Sequence, residues 1–143
     1  SDLLRAFRKT YLAPTLDNVV SSKICQMSSN DPIIDACKEM YEKRIGSIIV
    51  NGNDSKQGIF TERDLIFKVL NNRVSMDEPL DLYSSFPLIT APDGILANEA
   101  ASIMALHNIK RLVLKDKNSI TGIVTVRDIV DAYQDGSPQI KNY

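Results

Sequence analysis

Two copies of one short motif place a hydroxyl and a carboxylate three positions apart. The run Gly-Ile-Phe-Thr-Glu-Arg-Asp returns later in the chain as Gly-Ile-Val-Thr-Val-Arg-Asp, and the repeated polar residues are Thr61, Asp64, Thr125 and Asp128. Thr61 and Thr125 differ in residue number by the same amount as Asp64 and Asp128, and we call this difference the motif offset. In each copy a short apolar strand ends at the threonine, and a threonine at a helix start accepts a hydrogen bond from an otherwise unpaired backbone amide. A capping box alone explains either copy. Capping does not require a second copy in fixed register, however, so the duplication leaves a binding role open.

The residues around the first motif predict a helix, a strand hairpin and a second helix. Residues 30–32, Asn-Asp-Pro, signal a helix start with proline at the first helical position. Residues 45–50 predict a buried strand, and residues 58–61 predict the return strand after a polar turn. The predicted buried face of the first helix consists of Ile33, Cys37, Met40 and Tyr41, and that of the second helix of Leu65, Ile66, Val69 and Leu70.

The same order of elements returns after a bridge that holds one predicted helical turn near Asp81. An extended segment at 88–91 precedes strands at 109–114 and 120–125 and a closing helix from 126 to 133. The predicted apolar stripe of the intervening helix is Leu96, Ala100, Ile103 and Met104. The acids at the two predicted helix starts, Asp31 and Asp93, are separated by two positions fewer than the motif offset, so we expect two extra residues at the second helix start.

The composition is that of an ordinary globular protein. The chain has 143 residues, 43% of them hydrophobic, and a net charge of −1. Two halves of about 60 residues would each be marginal alone, which favours two repeats that share one core. The balanced charge argues against nucleic-acid binding as the function, and no apolar run approaches the roughly 18 residues that a membrane span requires. We therefore expect a cytoplasmic protein without a membrane contact.

No constellation of residues indicates catalysis or a resident cofactor. The sequence contains no nucleophile paired with a base, no glycine-rich phosphate loop and no metal-spaced cluster. Cys25 and Cys37 lack CxxC spacing, which favours buried apolar side chains over zinc ligands. His107, the only histidine, is interpreted as a surface or helix-end residue, with a phosphate contact as the alternative. The chain is expected not to be an enzyme.

We divide the chain into five segments: an amino-terminal amphipathic helix and linker (1–18), a first repeat (19–72), a linker (73–86), a second repeat (87–136) and a tail (137–143). A helix, hairpin and helix repeated twice predict an α+β fold in which each repeat covers the other.

The duplicated order of elements resembles a tandem pair of cystathionine-β-synthase (CBS) domains, a Bateman module. The resemblance covers roughly residues 19 to 135 and includes the Ala-x-x-x-Met helices and the Gly-hydrophobic-x-Thr-x-x-Asp corners. It implies two repeats packed sheet to sheet about a pseudo-twofold axis, two clefts that take adenosine-containing ligands, and a homodimer of such modules.

The resemblance also assigns candidate ligand-binding residues. The ribose-binding acid falls on Asp64 and Asp128, and the neighbouring hydroxyl falls on Thr61 and Thr125. A carboxylate can accept hydrogen bonds from both hydroxyls of a ribose, and the helix start behind it favours a phosphate. The remaining assignments are Met27, Ser28, Ile89 and Thr90 beside the adenine, and Lys110, Arg111, Arg63 and Arg127 near the phosphate. The basic pair has no counterpart at Gly46 and Ser47, so we expect two unequal clefts.

These implications lead to a regulatory module that binds AMP, ADP or ATP and changes the surface seen by a regulated partner protein. S-adenosylmethionine or NAD in the same clefts is one alternative. The other is an interaction or nucleic-acid-binding protein with empty clefts, in which both Thr-x-x-Asp corners only cap helices.

Overall fold

The computed structural model describes residues 13–134, which form two compact units. We call residues 23–89 the first unit, and residues 13–22 together with 90–134 the second unit. The predicted amino-terminal helix before residue 13 and the predicted tail 137–143 lie outside the described residues. Each unit carries a three-stranded sheet and helices, which confirms the predicted α+β class.

The first unit follows the predicted order of elements. Strand β1 (Gln26–Ser28) precedes helix α1 (Ile33–Lys43), strands β2 (Ser47–Asn51) and β3 (Gln57–Thr61), and the short helix α2 (Glu62–Asp64). The α2 turn continues as a π-helix, Leu65–Leu70, and a 3₁₀ helix, Leu80–Tyr83, forms the helical turn predicted in the bridge. In the sheet, β1 pairs with β2 in parallel, and β2 pairs with β3 in antiparallel.

The core of the first unit is built on the β-branched run of β2. Ile48, Ile49 and Val50 are completely buried, as expected for a strand covered on both faces. The other core side chains are Cys25, Ile33, Ala36, Met40, Phe60, Val69 and Leu80.

Three residues that the sequence placed in buried helix faces are exposed instead. Tyr41 is 84% exposed, and Ala36 is buried on α1. Ile66 and Leu70 are each 50% exposed, and only Val69 of their helix is fully buried. Val130, at the motif offset from Ile66, is 51% exposed as well, so packing covers a narrower face of this helix than its apolar stripe.

The second unit repeats this architecture. Strand β4 (Thr90–Pro92) precedes helix α3 (Ala97–His107), strands β5 (Arg111–Asp116) and β6 (Ser119–Thr125), and helix α4 (Val126–Gln134). The strand order is β4-β5-β6, with the same parallel and antiparallel pairs as in the first unit. The closing helix is regular here, whereas its counterpart in the first unit is mostly π-helical.

The two units align with one constant difference in numbering, which equals the motif offset. It separates the first residues of strands β1 and β4, and it also separates the first residues of helices α1 and α3. The expectation of two extra residues at the second helix start is therefore wrong. That expectation paired Asp31 with Asp93. In the structure Asp31 is followed by Pro32 and then by α1, whereas Asp93 lies in the turn after β4, so the two residues are not equivalent.

Each sheet is extended by a segment from outside its own repeat. Ser85 pairs with Ile59 on β3 of the first unit, and Ser21 pairs with Ile123 on β6 of the second unit. These two pairings are themselves related by the motif offset. The stretch interpreted as a linker at 73–86 is thus built into the first unit, and residues 13–22 are built into the second.

No helix within residues 13–134 is long and apolar enough to cross a membrane.

Candidate ligand-binding corners

The first corner, Thr61 to Asp64, is a closed capping box where β3 passes into α2. The Thr61 amide donates to Oδ2 of Asp64 at 2.9 Å, and the Asp64 amide donates to Oγ1 of Thr61 at 3.2 Å. The Thr61 hydroxyl also donates to Oδ2 of Asp64 at 3.1 Å. The predicted capping interaction is confirmed, and it holds the carboxylate in one orientation.

The second corner, Thr125 to Asp128, has the same reciprocal geometry. The Thr125 amide donates to Oδ2 of Asp128 at 2.8 Å, and the Asp128 amide donates to Oγ1 of Thr125 at 3.2 Å. Helix capping is therefore one role of both corners. Because capping uses only Oδ2 of each acid, the role of the other carboxylate oxygen decides what else a corner can do.

The second carboxylate oxygen is used differently in the two corners. Oδ1 of Asp64 forms an ion pair with Nζ of Lys68 at 3.1 Å, and Asp64 is only 8% exposed. The position equivalent to Lys68 is Ala132, which has no donor. Asp128 is half-buried, and its capping bond from the Thr125 amide reaches Oδ2. Oδ1 of Asp128 thus takes no part in the capping box.

Sequence reasoning missed Lys68 as a member of the first corner. Its signal was present, because Lys68 follows Asp64 by four positions, a spacing at which opposite charges on a helix meet.

The backbone of the basic pair lies beside the second corner. Arg111 lies directly opposite Thr125 in the β5–β6 ladder, and the amide of Val126 donates to the Lys110 carbonyl at 3.2 Å. Lys110 is exposed, whereas Arg111 is half-buried and has partners of its own. The first corner has the same backbone arrangement with uncharged residues, because Ser47 lies opposite Thr61 there.

The two motif arginines make contacts along their own helices. The Arg63 guanidinium lies over the Phe67 ring, 4.4 Å from its centre. Nε of Arg127 lies 3.2 Å from Oδ1 of Asp131, and the Arg127 side chain is 81% exposed. These contacts fit the interpretation of surface arginines, and a contribution of either one to phosphate binding stays a prediction.

The residues predicted beside the adenine do not meet the corner of their own unit. Strand β1, which holds Met27 and Ser28, is separated from β3 by β2. Met27 lies opposite Val50 on β2, and Ser47, which is the partner of Thr61, lies three positions earlier on the same strand. The rise along a strand and the spacing between strands then place Met27 about 14 Å from the first corner. Ser28 is engaged locally, because its amide donates to Oδ2 of Asp31 at 2.9 Å.

In the second unit Thr90 opens β4, and Ile89 directly precedes that strand. The motif offset makes Ala91 the equivalent of Met27, so Ile89 is not its structural counterpart. The adenine-contact assignments therefore stay predictions.

The remaining candidate side chains have ordinary surroundings. His107 is exposed and ends α3 beside Asn108, as expected for a helix-end histidine. Cys25 is buried with Lys43 Nζ 3.7 Å from its sulfur, and partial burial raises the pKa of the Cys37 thiol. Among residues 13–134, no three His, Cys, Asp or Glu side chains come together as a metal site.

Comparison with known proteins identifies both units. The family model described as "CBS domain" matches residues 17–71 and again residues 81–135. An uncharacterized protein of Methanopyrus kandleri is 38% identical over 107 residues, which is 72% of this chain but only 54% of that protein. The chain thus matches about half the length of that relative.

Solved structures share the fold. A conserved protein from Pyrococcus horikoshii is 28% identical with a TM-score of 0.72, covering 85% of this chain and 92% of the other. A CBS domain protein from Pyrobaculum aerophilum, complexed with AMP, is 24% identical with a TM-score of 0.67, covering 80% and 88%. With two family matches that span most of its length, this chain belongs to the CBS domain family and carries two CBS domains in tandem.

Proposed function

We propose that this chain is a non-catalytic regulatory module that binds an adenine nucleotide, AMP, ADP or ATP, with the second corner as its principal site. The observation that carries the proposal is that the cap holds the Asp128 carboxylate through Oδ2, where the Thr125 amide donates, and leaves Oδ1 outside the capping box. A carboxylate fixed through one oxygen accepts hydrogen bonds from ribose hydroxyls at the other without having to reorganise.

The charges beside the second corner suit a phosphorylated ligand. Lys110 and Arg111 adjoin the corner through the strand ladder and the helix start. A phosphate oxygen pairs well with a lysine ammonium or an arginine fork, and such charge-assisted bonds contribute about 1.5–3 kcal/mol each. At the first corner the residues equivalent to this basic pair are Gly46 and Ser47, which carry no charge.

The comparisons support the ligand class. The Pyrobaculum aerophilum protein is complexed with AMP on the same fold, although its 24% identity does not transfer individual contacts. Regulation follows from binding if the ligand favours one of two states of the module, because a ligand shifts only an equilibrium between states that it binds unequally. The regulated partner protein and the homodimer stay predictions.

Isothermal titration calorimetry of the full chain with AMP, ADP, ATP, S-adenosylmethionine and NAD tests the proposal. We expect heat with at least one adenine nucleotide and at least a tenfold weaker affinity for Asp128→Asn. The substituted asparagine can still accept the Thr125 amide through its side-chain oxygen, so the helix cap is retained.

The matched control is Asp116→Asn, which removes an exposed carboxylate at the end of β5 that is far from the corner. Unchanged nucleotide affinity in Asp128→Asn would refute the site assignment. Tight binding of S-adenosylmethionine or NAD alone would replace the nucleotide class, and no heat with any ligand would favour corners that only cap helices.

A further inference from the structure

Lys68 occupies the acceptor that a ligand would need at the first corner. Its ammonium lies 3.1 Å from Oδ1 of Asp64 and 3.4 Å from the hydroxyl of Ser85. Oδ2 of Asp64 already accepts both the amide and the hydroxyl of Thr61. Every oxygen of the Asp64 carboxylate is thus bonded within the first unit.

We propose that Lys68 is an internal lock that keeps the first corner closed to nucleotide, an inference that rests on the proposed function. Each carboxylate oxygen has two acceptor positions. The two donors of Thr61 fill those of Oδ2, so both hydroxyls of a ribose can bind Oδ1 of Asp64 only if the ammonium leaves it. Displacement would require a carboxylate that is 8% exposed to exchange a charged donor for a neutral one, and hydrogen bonds from neutral donors are weaker. The first corner therefore binds nucleotide much more weakly than the second.

The Ser85 contact gives the lock a structural anchor. Ser85 forms two backbone hydrogen bonds with Ile59, of 2.8 and 3.0 Å, so its position is set by the sheet. Lys68 is therefore positioned from two sides, by the acid on its own helix and by the segment that extends β3. At the second corner the equivalent residue is Ala132, which is 3% exposed and cannot form such a lock.

The test compares Lys68→Met and Lys68→Arg by calorimetry with AMP, and the measured quantity is the number of AMP molecules bound per chain. We expect one site in the wild type, two in Lys68→Met and one in Lys68→Arg, because arginine restores the ion pair. Lys68→Gln serves as a second neutral variant if Lys68→Met does not fold, as judged by circular dichroism.

Combination with Asp128→Asn separates failure of the lock from failure of the proposed function. Asp128→Asn alone should lose its AMP site, and the Lys68→Met, Asp128→Asn double variant should regain one. A wild type with two sites, or Lys68→Met with one unchanged site, overturns the lock while the second corner stands. Binding that survives Asp128→Asn overturns the function at that corner, and absence of heat in both the wild type and Lys68→Met overturns both.

Discussion

Replacement of Gly58 by alanine should destabilise the protein more than replacement of Gly52 or Gly122 by alanine. Gly58 opens the first motif on β3, and a Cβ atom there would overlap the carbonyl oxygen of Ser85 and lie 2.6 Å from Cδ1 of Phe86. A carbonyl in a paired backbone cannot rotate away. The segment that extends the sheet must therefore move.

The cost follows from the contacts that would be disturbed. The two backbone hydrogen bonds between Ile59 and Ser85 contribute about 0.5–1.5 kcal/mol each. Steric overlap in a well-packed region adds about 1–3 kcal/mol. We expect Gly58→Ala to lower the free energy of unfolding by about 2–6 kcal/mol, which corresponds to about 5–25 °C in melting temperature for a chain of this size.

Two matched variants make the measurement specific. At Gly52 the nearest atoms to a new Cβ lie at 3.4 Å, so Gly52→Ala should change stability by less than about 1 kcal/mol. At Gly122 the Cβ would overlap a methyl group of Val20 and lie 3.2 Å from the Ser21 carbonyl. A side chain yields more easily than a backbone, so Gly122→Ala should cost less than Gly58→Ala, and Val20→Ala should restore part of the loss.

Urea denaturation followed by circular dichroism gives the free energies, and amide hydrogen exchange of Ile59 and Ser85 reports the local pairing. The reasoning is refuted if Gly58→Ala unfolds at the same urea concentration as Gly52→Ala, or if its Ile59 amide stays as protected as in the wild type.

Two further predictions concern single residues away from the corners. Arg44 ends α1 in the left-handed region with φ of 54° and is exposed, so Arg44→Gly should raise the free energy of unfolding by about 0.5–1 kcal/mol. Asn108→Gly, at φ of 52°, should raise it by less because asparagine tolerates this region. Thermal melting measures both variants, and an unchanged melting temperature for Arg44→Gly would contradict the argument. Burial raises the pKa of the Cys37 thiol, so above about pH 8.5 the thiol ionises in the unfolded chain before it does in the native one. The wild type should therefore lose stability relative to Cys37→Ala as the pH rises. Urea midpoints at pH 7 and pH 10 measure this loss, and an equal change of midpoint in both proteins would contradict the prediction.

The sequence alone predicted the elements whose signals are local. The Thr-x-x-Asp corners form capping boxes as expected, because threonine and aspartate three positions apart satisfy the helix start by themselves. The helical turn in the bridge and the β-branched strands were also predicted, and the offset between the motifs is the offset between the units. Even the ion pair between Lys68 and Asp64 had a sequence signal in its four-position spacing.

The sequence did not reveal which side chains a non-local packing would cover. Ile66 and Leu70 match a buried helical stripe, yet they are half-exposed, as is Val130 at the motif offset from Ile66, because packing covers only the face of the helix that holds Val69. The unequal surroundings of the two acids, by contrast, required the structure, which pairs Asp64 with Lys68 and places the uncharged Ala132 at the equivalent position beside Asp128.

The role of the motif glycines was decided by the tertiary structure alone. In the sequence, Gly58 and Gly122 only open short strands. In the structure, each lies where a segment from outside its own repeat crosses the sheet, with Ser85 beside Gly58 and Val20 beside Gly122. Pairings such as that of Ser21 with Ile123 join distant parts of the chain, and a contact at that separation leaves no periodic pattern in the sequence. Local spacing therefore determined the two corners, whereas long-range strand pairing determined why a glycine must precede each of them.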